Sequence, residues 1–207
     1  MANIFLIGGG GRQPNAWPDT FGRFVHAAGA EKARLALVAV GASAGNAAEI
    51  LTYYRNIFLQ LGLAADQIVD LPLTEGQQLN QQALAALKPS GVCVCANSTP
   101  LCQQVLCADR SWVDWLQKEN LPFCGVSSGA VVAGEQAVVG GWQVTLDGEA
   151  HPFQAQAASG GLDELEVRPG LGLVPFAVEC HAGQQGTLIR LIHAVAMEMV
   201  GESWAID

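Results

Sequence analysis

The stretch Leu121-Pro122-Phe123-Cys124-Gly125-Val126-Ser127-Ser128-Gly129-Ala130 holds the decisive reading of this chain. It begins as an apolar run of strand length, 121–125, and passes without a linker into small residues and then a helical run. A strand that turns at once into a helix is the repeating unit of a parallel α/β sheet. Gly125-Val126-Ser127-Ser128-Gly129 also matches Gly-x-Ser-x-Gly, a sharp turn that lifts a serine hydroxyl above the carboxyl end of a strand. Small residues are required on both sides because strand and helix approach closely there. The helix start beyond Ser127 offers backbone N–H groups to a developing oxyanion. A tight turn with no chemistry is the competing reading.

Working outward, the same strand–helix alternation recurs. Residues 3–7 read as a strand ending in Gly8-Gly9-Gly10-Gly11, and 19–30 as a helix. Leu35 to Val40 is a second strand, followed by a helix over 47–61 with apolar residues at helical spacing (Ile50, Leu51, Tyr54, Ile57, Phe58, Leu61). A short strand at 68–71 and a helix at 77–87 lead to Gly91 to Ala96, a continuous apolar strand. Helices at 99–107 and 110–118 precede the serine turn. Near-continuous apolar strands are those buried on both faces, so the expected fold is α/β, a three-layer sandwich around a mostly parallel central sheet with right-handed crossovers. After residue 140 the texture changes. Residues 142–149 alternate as in a hairpin strand, 152–162 read as loop, 165–167 and 174–179 as strands, and 184–200 as a closing helix. No repeat or low-complexity tract interrupts this, and residues 1–207 are read as one domain.

Half of the 207 residues are apolar and 14% are charged, with a net charge of −9. No Lys/Arg cluster exists to neutralise phosphates, which argues against nucleic acid. No apolar run has the length of a membrane span, and the N-terminal Ile4-Phe5-Leu6-Ile7 lacks the basic lead of a signal peptide. The expected address is the cytoplasm. Cysteines 93, 95, 102, 107, 124 and 180 lack paired CxxC spacing. They are read as small buried hydrophobes, with no structural zinc. Gly8 to Gly11 follows a strand but lacks the spacing of a dinucleotide fingerprint and a P-loop lysine, so no cofactor is expected. Its backbone amides suit the lining of a cleft.

A serine nucleophile needs a base, and the four histidines are His26, His151, His181 and His193. His181 follows an apolar run at what should be a strand end and is preferred, with His151 second. The acid that would orient the imidazole lies among Glu135, Asp147, Glu149, Asp163, Glu164, Glu166 and Glu179. Glu149, followed by Asp147, is preferred from its place in the hairpin-like segment.

Three blocks resemble a known family, the serine peptidases that include cyanophycinase and the Asp-specific dipeptidase E. The first is Ile7-Gly8-Gly9-Gly10 with 34–44 and the following helix through Leu61-Gly62. The second is Gly125-Val126-Ser127-Ser128-Gly129-Ala130, similar to that family's G-x-S-A-G-A turn. The third is Pro169-Gly170-Leu171-Gly172-Leu173-Val174-Pro175, leading to Glu179-Cys180-His181 and then Gln184-Gln185-Gly186 through Arg190-Leu191. It is similar to the family's G-L-G-L-x-P, D-Q-H and Q-R-G-R-x-x-R-L run. The resemblance implies a class I glutamine amidotransferase-like fold, flavodoxin-like and doubly wound, with Ser127 as nucleophile and His181 as base. It also implies a first oxyanion donor at Ser128. A second would come from the turn after the fourth strand, which reads here Cys95-Ala96-Asn97-Ser98, hence Ala96 or Asn97. Gln185 stands where the family has arginine, and Cys180 where it has glutamine.

The expected function is therefore hydrolysis of an amide bond in a small peptide or aspartyl/isoaspartyl-type substrate through a Ser-His acyl-enzyme. An inactive relative that binds a small molecule or a protein is the alternative, motivated by the altered turn at 95–98. An α/β-hydrolase esterase is the third reading, and a glutaminase is disfavoured because its nucleophile is cysteine. The sequence leaves a homodimer open.

Overall fold

The computed structural model describes residues 2–9, 13–153, 155–156 and 159–180. Its centre is a five-stranded sheet in the order β1-β5-β4-β2-β3, parallel throughout. The strands are β1 (Ile4–Ile7), β2 (Leu35–Val40), β3 (Ile68–Leu73), β4 (Gly91–Ala96) and β5 (Phe123–Ser127). Every residue of β2 and β4 is buried, as their unbroken apolar sequences require of strands covered on both faces.

Successive side chains of a strand point to opposite faces, and the three inner strands divide accordingly. Leu35, Leu37, Ala39, Cys93, Cys95 and Cys124 face α1 (Phe21–Ala27) and α2 (Ala44–Gln60). There Phe21 and Phe58 meet edge to face at 5.8 Å. Ala36, Val38, Val40, Val92, Val94 and Ala96 face the opposite cluster. That cluster is built from α3 (Gln81–Ala86), α4 (Thr99–Cys107), α5 (Ser111–Lys118) and α6 (Ser128–Val131), with Trp112 and Phe123 at its base. None of the six cysteines forms a disulfide, and five are buried. Burial pushes the thiols of Cys93 and Cys124, which are partners across β4 and β5, well above the ordinary thiol range. They act as small hydrophobes. Among the described residues no helix is long and apolar enough to cross a membrane.

Several boundaries differ from the sequence reading, each for a local reason. Helix α2 starts at Ala44 rather than 47 because the Ser43 hydroxyl caps it, accepting from the Asn46 N–H. Helix α3 starts at Gln81 rather than 77 because Asn80 is its cap, accepting from Ala83. Strand β3 continues through Pro72, which an edge strand tolerates. Strand β5 runs on to Ser127 instead of stopping at 125. The helical run expected after Ala130 is the single turn α6, which already begins at Ser128 and ends at Val131; β6 (Gln136–Gly140) follows it, pairing antiparallel with β9 (Glu166–Pro169). Residues 142–149 contain not one strand but β7 (Gln143–Leu146) and the turn into β8 (Glu149–Pro152). Residues 174–179 are not a strand. Pro175 has no N–H to give a ladder, and the N–H groups of Leu173 and Val174 both go to the Ala133 carbonyl. The helix expected over 184–200 lies outside the described residues.

Candidate active site

Three strand ends converge where β5 gives way to α6. The register sets Ala96 of β4 beside Ser127 and Ile7 of β1 beside Val126. The chain leaves β2 outward to β3 and returns on the other side to β4, so the carboxyl edge at β2 and β4 is a topological switch point, where sheets of this kind bind ligands. Ser127 sits next to it, partly exposed, with φ 52° and ψ −118°. A side-chain-bearing residue adopts that backbone only when its surroundings enforce it, at a cost on the order of 1–3 kcal/mol.

The enforcement comes from the flanking glycines. A methyl group at Gly125 would land on the carbonyl of Gly129, and one at Gly129 would land on the carbonyl of Val94 in β4. Without side chains at both positions, α6 folds back onto β5 within one turn. Gly-x-Ser-x-Gly is therefore a packing requirement here as well as a motif.

The residue after the serine, Ser128, is 4% exposed. Its hydroxyl accepts a 3.0 Å hydrogen bond from the Thr99 hydroxyl, on the first turn of α4. Strand β4 ends at Ala96, buried, and Asn97, exposed, leads from it to the helix cap Ser98. Ser128, Ala96 and Asn97 thus lie on the two neighbouring strand-to-helix turns, β5–α6 and β4–α4.

The third sequence block reaches the same place. Gly170, Leu171, Gly172 and Leu173 donate backbone hydrogen bonds to Glu135, Val132, Gly134 and Ala133, the residues that follow α6. Arg110 fixes the block from the other side by donating to the Leu171 carbonyl at 2.8 Å. The chain then runs to Cys180, whose thiol donates to the Ser127 carbonyl at 3.2 Å. Burial and the neighbouring Glu179 charge push the Cys180 thiol up to about 12, against the opposing pull of a Val131 backbone hydrogen bond. Burial also raises Glu179 to about 7, with a backbone hydrogen bond from Cys180 acting the other way. His181 lies outside the described residues; it is covalently the next residue after Cys180.

The other candidates hold different positions. His26 is exposed on α1, His151 is exposed on β8 opposite Val144, and His193 lies outside the described residues. Glu149 and Asp147 are exposed at the turn of the β7–β8 hairpin, a two-stranded sheet separate from the central one. Asp163 accepts from the Trp142 indole, and Glu164 accepts from Gln143 and Thr145, which ties down the base of that hairpin. Glu166 is paired with Arg168 at 2.7 Å, and Glu135 is exposed. Glu179 is thus the carboxylate of this interval whose chain neighbour touches the Ser127 turn. Thr99 went unread in the sequence. Its one available signal was a hydroxyl directly after the 95–98 turn, at a helix start. No family model and no curated protein matches this chain.

Proposed function

We propose that this chain is a serine hydrolase that cleaves an amide bond in a small peptide or aspartyl/isoaspartyl-type substrate, on a class I glutamine amidotransferase-like fold. The observation that carries the proposal is the left-handed backbone of Ser127 at a strand-to-helix turn beside the switch point. Strain of this kind persists where function uses it. In the proposed reaction the Ser127 Oγ bonds to the substrate carbonyl carbon while His181 takes the hydroxyl proton. The negative charge on the carbonyl oxygen is met by the N–H of Ser128 and by that of Ala96 or Asn97. Collapse breaks the C–N bond, and the imidazolium returns its proton to the leaving amine. Water then attacks the acyl-serine, giving up a proton through His181 and releasing the acid.

For the group that steadies the imidazolium, Glu179 has the best support. It is desolvated, precedes His181 by two residues, and adjoins the thiol on the Ser127 carbonyl. That none of the six cysteines forms a disulfide favours a reducing compartment, in keeping with a cytoplasmic enzyme.

Intact-mass analysis after treatment with a fluorophosphonate tests the proposal. One adduct on the wild type, absent from Ser127→Ala and from His181→Ala, is the expected result. A folded wild type that stays unlabelled would count against hydrolysis and leave the cleft as a ligand-binding site.

A further inference from the structure

The two oxyanion donors of the proposed reaction sit on different turns, and nothing in either turn alone sets the gap between them. A donor displaced by 1 Å loses much of its effect on an oxyanion, so the gap has to be fixed. The Thr99–Ser128 hydrogen bond is the side-chain link between those turns. Thr99 is itself held in place, since the Ser98 hydroxyl accepts from Leu101 at 3.5 Å and the Ser98 carbonyl accepts from Cys102 at 2.9 Å. Ser128 is buried beneath the turn, with Gly129 pressed against the Val94 carbonyl. Both ends of the link are therefore anchored to β4, one through the start of α4 and the other through α6.

We propose that Thr99 and Ser128 form a clasp that sets the spacing of the oxyanion hole. Thr99 acts as a positioning residue that touches no reacting atom. The inference rests on the hydrolase reading above. It also gives the serine at 128 a purpose: its side chain turns inward to the neighbouring strand's helix, while its backbone N–H remains available to the oxyanion. In the G-x-S-A-G-A turn the corresponding alanine has no hydroxyl to do this, so the clasp belongs to this chain's own residues.

The experiment is a kinetic dissection of fluorophosphonate labelling into reversible affinity and the rate of the covalent step. It compares the wild type, Thr99→Val, Ser128→Ala, the double variant and Thr99→Ser. Each of the first two single variants should slow the covalent step about tenfold with affinity unchanged. The double variant should be no slower than the worse single one, because both remove one link. Thr99→Ser should recover the rate to within about twofold, and thermal midpoints should move by only about 2–4 °C, as for one lost hydrogen bond in a chain of this size. A Thr99→Val rate equal to the wild type overturns the clasp and leaves the hydrolase reading intact. So do losses that multiply in the double variant, or a loss confined to affinity. An unlabelled wild type overturns both.

Discussion

Ser127 and Asp147 share a backbone φ of 52° and reach it by opposite means. Asp147 needs no help. It precedes Gly148, at φ 83°, and the two form the two-residue loop that pairs Leu146 with Glu149. Positive φ at both central residues is what such hairpin loops require, and Asp-Gly supplies it from local preference alone. The surroundings of that hairpin are correspondingly slack, with Leu146 41% exposed and all of β8 exposed. At Ser127 the local preference runs the other way, because serine does not favour that conformation. The fold imposes it through two glycine contacts, the β4 partner Ala96 and the Cys180 thiol on its carbonyl. A turn that the sequence favours locally can lie on the surface. A turn that it does not favour has to be built into a core, and a core is where a reactive group gains from the exclusion of water.

The comparison breaks most visibly if the enforcing contacts are removed. Gly129→Ala drives a methyl group into the Val94 carbonyl, a backbone atom of β4 that cannot swing aside. Overpacking of this kind costs about 3 kcal/mol. Gly148→Ala, in open space, pays only for its positive φ. Urea denaturation should show the midpoint of Gly129→Ala falling well below that of Gly148→Ala. Equal midpoints would mean that the serine turn is not held by packing.

The same asymmetry governs what sequence alone could reveal. Strands β2 and β4 were readable to the residue, since six consecutive buried positions leave six consecutive apolar residues. The tight turn at Ser127 was readable because its glycine requirement is written two positions to either side, at Gly125 and Gly129. Strand β5 was not, since Gly125-Val126-Ser127 looks like turn until β1 and β4 are placed on either side of it. The antiparallel pair β6–β9 and the Thr99–Ser128 bond depend on segments about thirty residues apart in sequence and adjacent only in the fold. Residues 174–179 read as strand from composition, but Val174 gives its N–H to the Ala133 carbonyl and Pro175 has none to give. Composition cannot anticipate a competing partner from a distant segment.

A smaller effect separates the carboxylates of the two regions. Glu179 has a folded pKa near 7, above its unfolded value, because burial penalises its charge. The folded state therefore holds this proton more tightly than the unfolded state. Its favourable contribution is complete below the unfolded pKa and is lost as pH rises toward 7, a decline on the order of 2–3 kcal/mol. Glu179→Gln, neutral at every pH, should remove that decline. Stability measured from pH 4.5 to pH 8 should fall less steeply in the variant than in the wild type. Parallel curves would show that the carboxylate is solvated after all.

The smallest effect belongs to the hairpin, and it sharpens the contrast from the other side. Glu149 lies on an exposed strand whose base is fixed by Glu164 and Asp163 rather than by Glu149 itself. Glu149→Gln removes an exposed charge that no hydrogen bond among the described residues links to the Ser127 turn, so stability should change by less than about 0.5 kcal/mol. Fluorophosphonate labelling should also keep its wild-type rate within about twofold, whereas loss of an orienting acid costs orders of magnitude in triads of this kind. A hundredfold fall with stability unchanged would put the orienting acid of the proposed reaction on the hairpin rather than at Glu179. It would require β7 and β8 to close over the serine turn when substrate or inhibitor is bound, and the surface turn would then share in the chemistry proposed for the buried one.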